Sequence, residues 1–253
     1  MHWYLLCQLI KRDVLLRYRG AMFGVLWVLL TPLIMLSIMA IVFGEVFQTR
    51  WTQQQDGVPF WLVLYSGLIA FNVFGDAVSR APTAVRSYPN FVKKMIFPVA
   101  ILPLVPLGSA LIHAAFNLAI LLLALAWTGH LHFQAALYPI MLIPLLLGTV
   151  GLSWFIAAWG VFIKDMTQIV PPFVQILMFV SPVLYPATAA PASLLPLYRY
   201  NPLGAVVEAC RSAIFGQPID WRAWIAALLC GVVTAALGWL FFRRSREEFA
   251  DAL

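Results

Sequence analysis

Long runs without a charged residue dominate this sequence. Residues 20–44, 57–75 and 223–242 contain no Lys, Arg, Asp or Glu. A helix needs about 20 apolar residues to cross the ~30 Å hydrocarbon core of a bilayer, where each charge costs several kcal/mol. Each run has that length, and 63% of all 253 residues are hydrophobic while only 10% are charged. The chain is therefore predicted to be an integral membrane protein, and a soluble globular fold is excluded.

Two longer uncharged runs predict the remaining spans. Residues 95–163 are too many for one helix, and Thr-Gly-His at 128–130 supplies a turn, so a helical hairpin is expected. Residues 166–198 contain six prolines, which predicts one span followed by irregular or re-entrant chain. The expected fold is a single all-α membrane domain over residues 1–253 with six transmembrane helices. The predicted spans are about 22–46, 58–78, 101–127, 136–163, 169–185 and 222–242.

The basic residues predict the orientation of these spans. Sixteen Lys and Arg against ten Asp and Glu give a net charge of +6. With six spans, twelve of the sixteen basic residues fall on the side of both termini and four on the other side. Because cytoplasmic loops carry the excess of Lys and Arg, both termini are predicted to be cytoplasmic. This topology accounts for the positive charge, and no nucleic-acid partner is expected.

Motifs for catalysis are missing from the sequence. It contains no G-x-x-x-x-G-K-[ST] loop for phosphates, no H-E-x-x-H and no G-x-S-x-G. The four histidines and three cysteines show no metal-ligand or redox spacing. We therefore predict a non-enzymatic chain with no metal or cofactor of its own. His113, inside the third predicted span, is either a functional ionisable group or a neutral imidazole bonded to a neighbouring helix.

Two segments on the predicted cytoplasmic side combine apolar and basic residues. Residues 1–19 have the pattern of an amphipathic helix in the membrane interface. Their cations either anchor the chain or also contact an anionic headgroup, for which Arg17 and Arg19 are the candidates beside the first span. The loop at 79–98 contains Tyr88 and Phe91 among prolines and basic residues, which favours docking to a partner or back onto the bundle.

A short helix is predicted on the outer side, within residues 187–218. Asn201 and Pro202 form an N-cap followed by proline at the first helical position. Glu208 and Arg211 are three residues apart and can pair on one face. The pair either only neutralises charge near the membrane or belongs to a gate over the bundle.

Four sequence blocks together resemble a known family. They are LIKRDVLLRYRGAMFGVLWVLLTPL, NFVKKMIFPVAILPL, YNPLGAVVEACR and FFRRSREEFAD, in this order from about residue 5 to residue 251. The chain is similar to the type-2 ABC exporter permeases, above all to the branch that exports O-antigen, teichoic acid and capsule. The resemblance implies a homodimer of six-helix subunits in the bacterial inner membrane, with two copies of a separate P-loop ATPase. ATP and Mg²⁺ would bind to that partner, and the substrate would be a lipid-linked polysaccharide.

The resemblance also implies roles for individual residues. The N-terminal helix and the loop after the second span would meet the ATPase, with these candidates: Lys11, Arg12, Tyr88, Asn90, Phe91, Lys93 and Lys94. The external gate would include Tyr200, Asn201, Glu208 and Arg211. An aromatic-lined passage would include Trp27, Phe71, Phe74, Phe155, Trp159 and Phe162. The last three share one helix face, and packing against lipid is the commoner cause of such a stripe.

Two other functions fit the same sequence. A permease of this architecture that exports a drug, a lipid or another small amphiphile would keep the ATPase contacts. A carrier that works without ATP is expected to place charged or broken helices at the membrane midplane. The small number of charges within the spans makes this second alternative the weaker one.

Overall fold

The computed structural model describes residues 2–46, 58–92, 97–184 and 200–249. These ranges are helical, with short turns between helices, and no β-strand occurs in them. The predicted all-α membrane fold is confirmed. Lys93 and Lys94, residue 185 at the end of the fifth predicted span, residues 187–199 of the predicted gate and residues 250–253 of the tail lie outside the described ranges.

Ten α-helices follow one another along the described chain. They are α1 (His2–Arg17), α2 (Trp27–Met39), α3 (Phe60–Ala84), α4 (Pro89–Val92), α5 (Leu104–Thr128), α6 (Tyr138–Met141), α7 (Ile143–Phe162), α8 (Met166–Val180), α9 (Pro202–Ile214) and α10 (Trp221–Ser245). A 3-10 turn at Gly24–Leu26 precedes α2, and a π-helix at Ala40–Val46 extends it. Further 3-10 turns lie at Val99–Ile101, Phe133–Leu137 and Arg246–Glu248.

Among the residues that the structure describes, five helical segments are long and apolar enough to cross a membrane. They are Gly24–Gly44, Phe60–Ala84, Val99–Thr128, Phe133–Phe162 and Trp221–Glu248. Each coincides with a predicted span. The span expected at 169–185 corresponds to α8, which is apolar but has only 15 residues. The count of six spans therefore remains a prediction.

The second span is longer than the sequence suggested. Helix α3 continues to Ala84, six residues past the expected end at 78, so part of the predicted loop at 79–98 is helical. The helix carries Arg80 without disruption because acidic side chains neutralise that charge, as described below. In the rest of the predicted loop, the described residues form α4 and the turns around it. At the other end of the chain, α10 likewise extends to Ser245, into the predicted tail.

Helix α3 is the central element of the bundle. In its most apolar stretch 78% of the residues are buried, compared with 11% in the first span. It packs against α5, α7, α8 and α9, and its side chains fill the main hydrophobic core. The first span lies at the edge of the bundle and exposes many large apolar side chains. Such side chains are suited to contact with lipid or with another apolar protein surface.

A second hydrophobic cluster gathers the chain's basic segments at one end of the bundle. It joins Leu9 of α1, Val85 after α3, Leu102 before α5, and Phe242 and Phe249 at the end of the chain. We call this the α1 end. Helix α9 packs on the first turns of α3 and on the turn at 133–137, which lie at the opposite end. Both ends of the described chain therefore lie on the same side of the bundle.

Helices α7 and α10 approach so closely that glycines line their contact. A Cβ atom on Gly238 would collide with the backbone of Gly151, and one on Gly151 would collide with the backbone of Thr234. Small residues allow such backbone contact between helices in membranes, where van der Waals packing replaces the hydrophobic effect. Gly148, on the same side of α7, has more room, because its Cβ would lie 3.9 Å from Gly231.

Substitution of Gly238 tests this packing. We expect Gly238→Ala to destabilise the protein by about 1–3 kcal/mol, because backbone atoms of Gly151 cannot move aside as a side chain could. Thermal unfolding followed by size-exclusion chromatography in detergent measures the effect. Gly148→Ala is the matched control and should melt like the wild type. Equal melting temperatures for the two variants would contradict the packing described here.

Candidate functional site

A cleft of about 940 Å³ opens between α2, α3, α5 and α8. Apolar side chains form most of its wall, and Trp27 and Phe71 contribute aromatic rings. Its polar lining consists of Arg17, Thr31, Asn72, Asp76, Ser79, His113, Asn117 and Gln175. Polar groups at this density are unusual between membrane spans, where they are expensive and mark functional sites. The cleft is the candidate functional site.

Four charged side chains alternate in sign beside the α1 end of the cleft. Arg80 donates to Asp13 at 2.5 Å and lies 3.7 Å from Asp76. Arg17 in turn donates to Asp76 at 2.6 Å. Asp13 also accepts a 2.5 Å hydrogen bond from Ser109 on α5. Each of these four charges thus has an opposite neighbour, which offsets the cost of holding it next to apolar helices.

The helical repeat explains how α1 reaches this cluster. Leu6, Ile10, Asp13 and Arg17 follow one another at three- or four-residue spacing and so share one face of α1. The first two pack into the hydrophobic cluster at the α1 end, and the last two make the ion pairs. Gly108 on α5 leaves space for Ile10. Sequence reasoning missed Asp13, although its register with Ile10 and Arg17 is the signal that identifies it.

His113 lies between the charged cluster and the cleft. Its Nδ1 is 3.3 Å from the hydroxyl of Tyr18, and the two rings meet edge to face. Burial raises the pKa of Tyr18, so this phenol keeps its proton. Within the described chain, Nε2 of His113 has no hydrogen-bond partner. One ring nitrogen thus meets a neighbouring segment, and the residue lines the cleft. A functional role as an ionisable group stays a prediction.

The structure separates the predicted passage aromatics into two groups. Trp27 and Phe71 line the cleft. Phe74 lies behind the cleft wall, buried in the core with its ring 5.9 Å from Phe71. The sequence could not show this difference, because neighbouring positions on α3 face either the cleft or the core.

The second aromatic group lies between α7 and α10. Phe155 packs 4.8 Å from Phe241, and Trp159 stacks nearly parallel to the same ring at 6.0 Å. Phe162 is 5.9 Å from Phe249. These three side chains keep an exposed edge but are outside the cleft lining. Their role in a passage stays a prediction.

The two arginines predicted to contact a headgroup point to different places. Arg17 lines the cleft and pairs with Asp76. Arg19 lies in a separate groove, which Lys11 and Arg12 also line. Arg17 is the last residue of α1, whereas Arg19 lies in the turn that follows, so the two side chains leave the backbone in different directions.

The aromatic residues of the predicted coupling loop pack back onto the bundle. Tyr88 stacks on Phe91 at 5.8 Å, and Phe91 stacks on Phe97 at 4.7 Å. All three adjoin the hydrophobic cluster at the α1 end. Burial raises the pKa of Tyr88, so its hydroxyl remains neutral at physiological pH. Asn90 on α4 is exposed, so it is among the groups that a partner can reach.

Arg211 of α9 connects three elements at the opposite end of the bundle. It pairs with Glu208 at 2.9 Å, as the spacing predicted, and is almost fully buried. It also donates to the carbonyls of Pro182 at 2.7 Å and of Val183, both just after α8, and to that of Val63 on α3 at 3.3 Å. Burial lowers the pKa of Arg211, and Glu208 opposes that shift.

The remaining gate candidates differ in exposure. Asn201 caps α9 by accepting hydrogen bonds from the backbone of Leu203 at 3.0 Å and Gly204 at 3.4 Å. Its amide nitrogen donates to Ser181 at 2.9 Å, so α9 and the end of α8 are linked twice. Tyr200 precedes the cap and is 83% exposed. It is the gate candidate that a molecule outside the bundle can contact directly.

The fold and the cleft define a multi-pass helical membrane protein with a polar site among its spans. The chain belongs to the ABC-2 type transporter family, whose model matches residues 4–215. The match includes the cleft, the charged cluster and α9.

Several curated relatives are similar over nearly their whole length. The O-antigen export system permease protein RfbA of Myxococcus xanthus is 26% identical over 98% of this chain and 95% of its own. Its namesake from Klebsiella pneumoniae is 21% identical over the same shares. The polysialic acid transport protein KpsM of Escherichia coli is 24% identical over 95% of this chain and 92% of its own. All three are transport proteins.

Removal of the Asp13 charge tests the cluster. In Asp13→Asn, Arg80 loses its nearest opposite charge, and we expect a loss of about 1–2 kcal/mol because both side chains are partly exposed. The N-terminal helix should also become more accessible to protease. Thermal unfolding and limited proteolysis in detergent measure these effects. Glu247→Gln, which removes an exposed acid at the same end of the bundle, should change neither; a similar effect of both variants would argue against the cluster.

Replacement of Arg211 tests the contacts of α9. Arg211→Met leaves three buried carbonyls without their donor, and we expect a destabilisation of about 3 kcal/mol. Arg211→Lys should be intermediate, since an ammonium group cannot reproduce the planar fork. Melting temperatures of the purified variants measure the order of their stabilities. Arg222→Met removes an exposed arginine at the same end and should leave the melting temperature unchanged. A methionine variant as stable as the wild type would show that the carbonyl contacts contribute nothing.

Proposed function

We propose that this chain is the permease subunit of an ATP-driven exporter for a lipid-linked polysaccharide, an O-antigen-like or related surface glycan. The substrate would move from the cytoplasmic side across the bacterial inner membrane. The observation that carries the proposal is the similarity of this chain, over 98% of its length, to O-antigen export permeases. The match to the ABC-2 type transporter family agrees with it. Export permeases for drugs, lipids or other small amphiphiles are the alternative.

The chemistry of the cleft supports a large amphiphilic substrate. Trp27 offers a half-buried ring on which a sugar can stack, with the buried Phe71 in the wall, while Asn72 and Gln175 offer hydrogen bonds. The α1 end of the cleft holds the charged cluster, with Arg17 as the candidate for the phosphate that links lipid and glycan. An acyl chain can leave sideways along the exposed apolar faces of α2 and α8.

We propose that the protein is a homodimer. The exposed apolar faces of α2 and α8 in the two protomers would either contact each other or surround the substrate path. On α8, Ile169, Phe173 and Ile176 form an exposed apolar stripe at helical spacing. On α2, Leu33 and Ile38 are also exposed. Since α2 and α8 form two walls of the cleft, two copies that approached each other along them would enclose it between protomers.

The α1 end is the proposed cytoplasmic side and the docking surface for two copies of a P-loop ATPase. The basic N-terminal segment, the α4 region and the basic tail all lie there, as the positive-inside rule requires of a cytoplasmic face. ATP and Mg²⁺ would bind to the partner. Asn90 is exposed at this end, and Tyr88 and Phe91 hold α4 on the bundle.

The charged cluster provides a route from that surface to the cleft. ATP binding to the partner would favour one of two arrangements of α1 and α4. Asp13 links α1 to Arg80 of α3, and Arg17 links it to Asp76 in the cleft wall. Movement of α1 would therefore change the cleft directly. Helix α9 would form the outer gate, held by Arg211.

Export by variants of this chain tests the proposed function. Deletion of its gene should remove the surface polysaccharide, and the wild-type gene should restore it. Trp27→Ala should lower the amount exported about five-fold, because one aromatic stacking contact contributes about 1 kcal/mol. Gel electrophoresis of extracted polysaccharide, normalised to protein in the membrane, measures the effect. Trp127→Ala, with a 92% exposed ring outside the cleft, should export normally.

Two results would contradict the proposal. Unchanged surface polysaccharide after gene deletion would favour an exporter of another amphiphile. Export that persists without any ATPase partner would remove the ATP-driven mechanism. Trp159→Ala distinguishes the aromatic groups, because export that falls with Trp159 and not with Trp27 would move the path to the α7–α10 side. The mass of the purified complex gives the copy number of each subunit.

A further inference from the structure

A second groove, of about 550 Å³, lies between α1 and the start of the first span. Lys11, Arg12 and Arg19 line it together. Its remaining walls include the apolar side chains of Leu15, Leu16 and Val25. The groove is therefore cationic and apolar at once, and it is separate from the cleft that Arg17 lines.

The positive charge of this groove is uncompensated within the described chain. None of its described lining residues is acidic, and no described ion pair joins Lys11, Arg12 or Arg19 to a carboxylate. Asp13 lies on the opposite face of α1 and is occupied by Arg80. Three cations kept close together without a counter-charge repel one another, and an anion relieves that repulsion.

The position of the groove along the first span indicates the level of the membrane at which it lies. Gly24 and Val25 belong both to its wall and to the first turn of the membrane-length segment Gly24–Gly44. Beside them, Met22 is 90% exposed and Leu26 60% exposed. A cationic site at the first turn of a span lies where lipid phosphates lie, whereas an ATPase would approach from the water below. The exposed apolar side chains are suited to acyl chains.

We propose that this groove binds an anionic phospholipid of the surrounding bilayer. Lys11, Arg12 and Arg19 would hold the phosphate by charge-assisted hydrogen bonds. The acyl chains would follow Leu15, Leu16 and Val25 into the membrane. The site is distinct from substrate transport, and its occupation does not require that the exported molecule be a glycan.

Bound lipid would fix the second face of α1. The first face is held by Leu6, Ile10 and the ion pairs of Asp13 and Arg17. On the opposite side, Lys11, Arg12 and Arg19 make no ion pair across the groove within the described chain. A phospholipid there would bridge α1 to the start of the first span, so that α1 responds to the anionic content of the inner leaflet.

Lipid titration of the full-length protein, purified with any partner that remains bound, tests the proposal. Phosphatidylglycerol and phosphatidylcholine are added in detergent, and native mass spectrometry counts the lipids bound. The triple variant Lys11→Gln, Arg12→Gln and Arg19→Gln should lose affinity for phosphatidylglycerol by on the order of 100-fold, or about five-fold for each cation. Affinity for phosphatidylcholine should be unchanged. Size-exclusion chromatography verifies that the variant is folded, and Arg19→Gln alone gives a milder measurement.

A matched control removes three other cations from the same end of the bundle. Arg243→Gln, Arg244→Gln and Arg246→Gln lower the net charge equally and should bind phosphatidylglycerol like the wild type. Equal losses in both triple variants would overturn the site in favour of unspecific attraction. Wild-type binding by the groove variant, together with loss of the ATPase partner, would make the groove a protein surface. Displacement of phosphatidylglycerol by a ten-fold lower concentration of a polyprenyl phosphate would make it a substrate site.

Discussion

The cost of charge in apolar surroundings governs this structure. An unpaired ionised side chain inside a helix bundle costs several kcal/mol, so each such group must find an opposite charge or several dipoles. Arg80 is held by Asp13 and Asp76, and Arg211 by Glu208 and by backbone carbonyls. These two solutions lie at opposite ends of the bundle. The first attaches α1 to the spans, and the second attaches α9 to α8.

Much of the fold could be predicted from the sequence because the bilayer imposes a simple rule on length and charge. The uncharged run at 20–44 coincides closely with the span Gly24–Gly44, and the run at 223–242 lies within the segment Trp221–Glu248. The rule does not give helix rotation, since a uniformly apolar helix has no preferred face in its own sequence. Phe71 and Phe74 show the result, because both are buried in the core but Phe71 alone of the two also lines the cleft.

The candidate site was less predictable because it depends on contacts between distant segments. The spacing of Glu208 and Arg211 predicted their ion pair, since both lie on one helix. The carbonyls that Arg211 also binds come from positions 28 and 29 residues away, and no local pattern indicates them. Likewise, Arg17 and Arg19 looked equivalent beside the first span. Their separation into a cleft and a groove required the orientation of α1.

The contacts of Arg211 also bear on the shortness of α8. A helix of 15 residues rises roughly 22 Å, which is less than the hydrocarbon thickness. A helix that stops within a membrane leaves carbonyl groups that neither water nor a further turn can satisfy. Arg211 donates to the carbonyls of Pro182 and Val183, just after the Ser181 that ends α8, so a side chain from another helix satisfies the chain where it leaves α8. The exit of the chain from α8 and a distant arginine therefore depend on each other: a relative whose fifth span has an additional turn would need other partners for the guanidinium group.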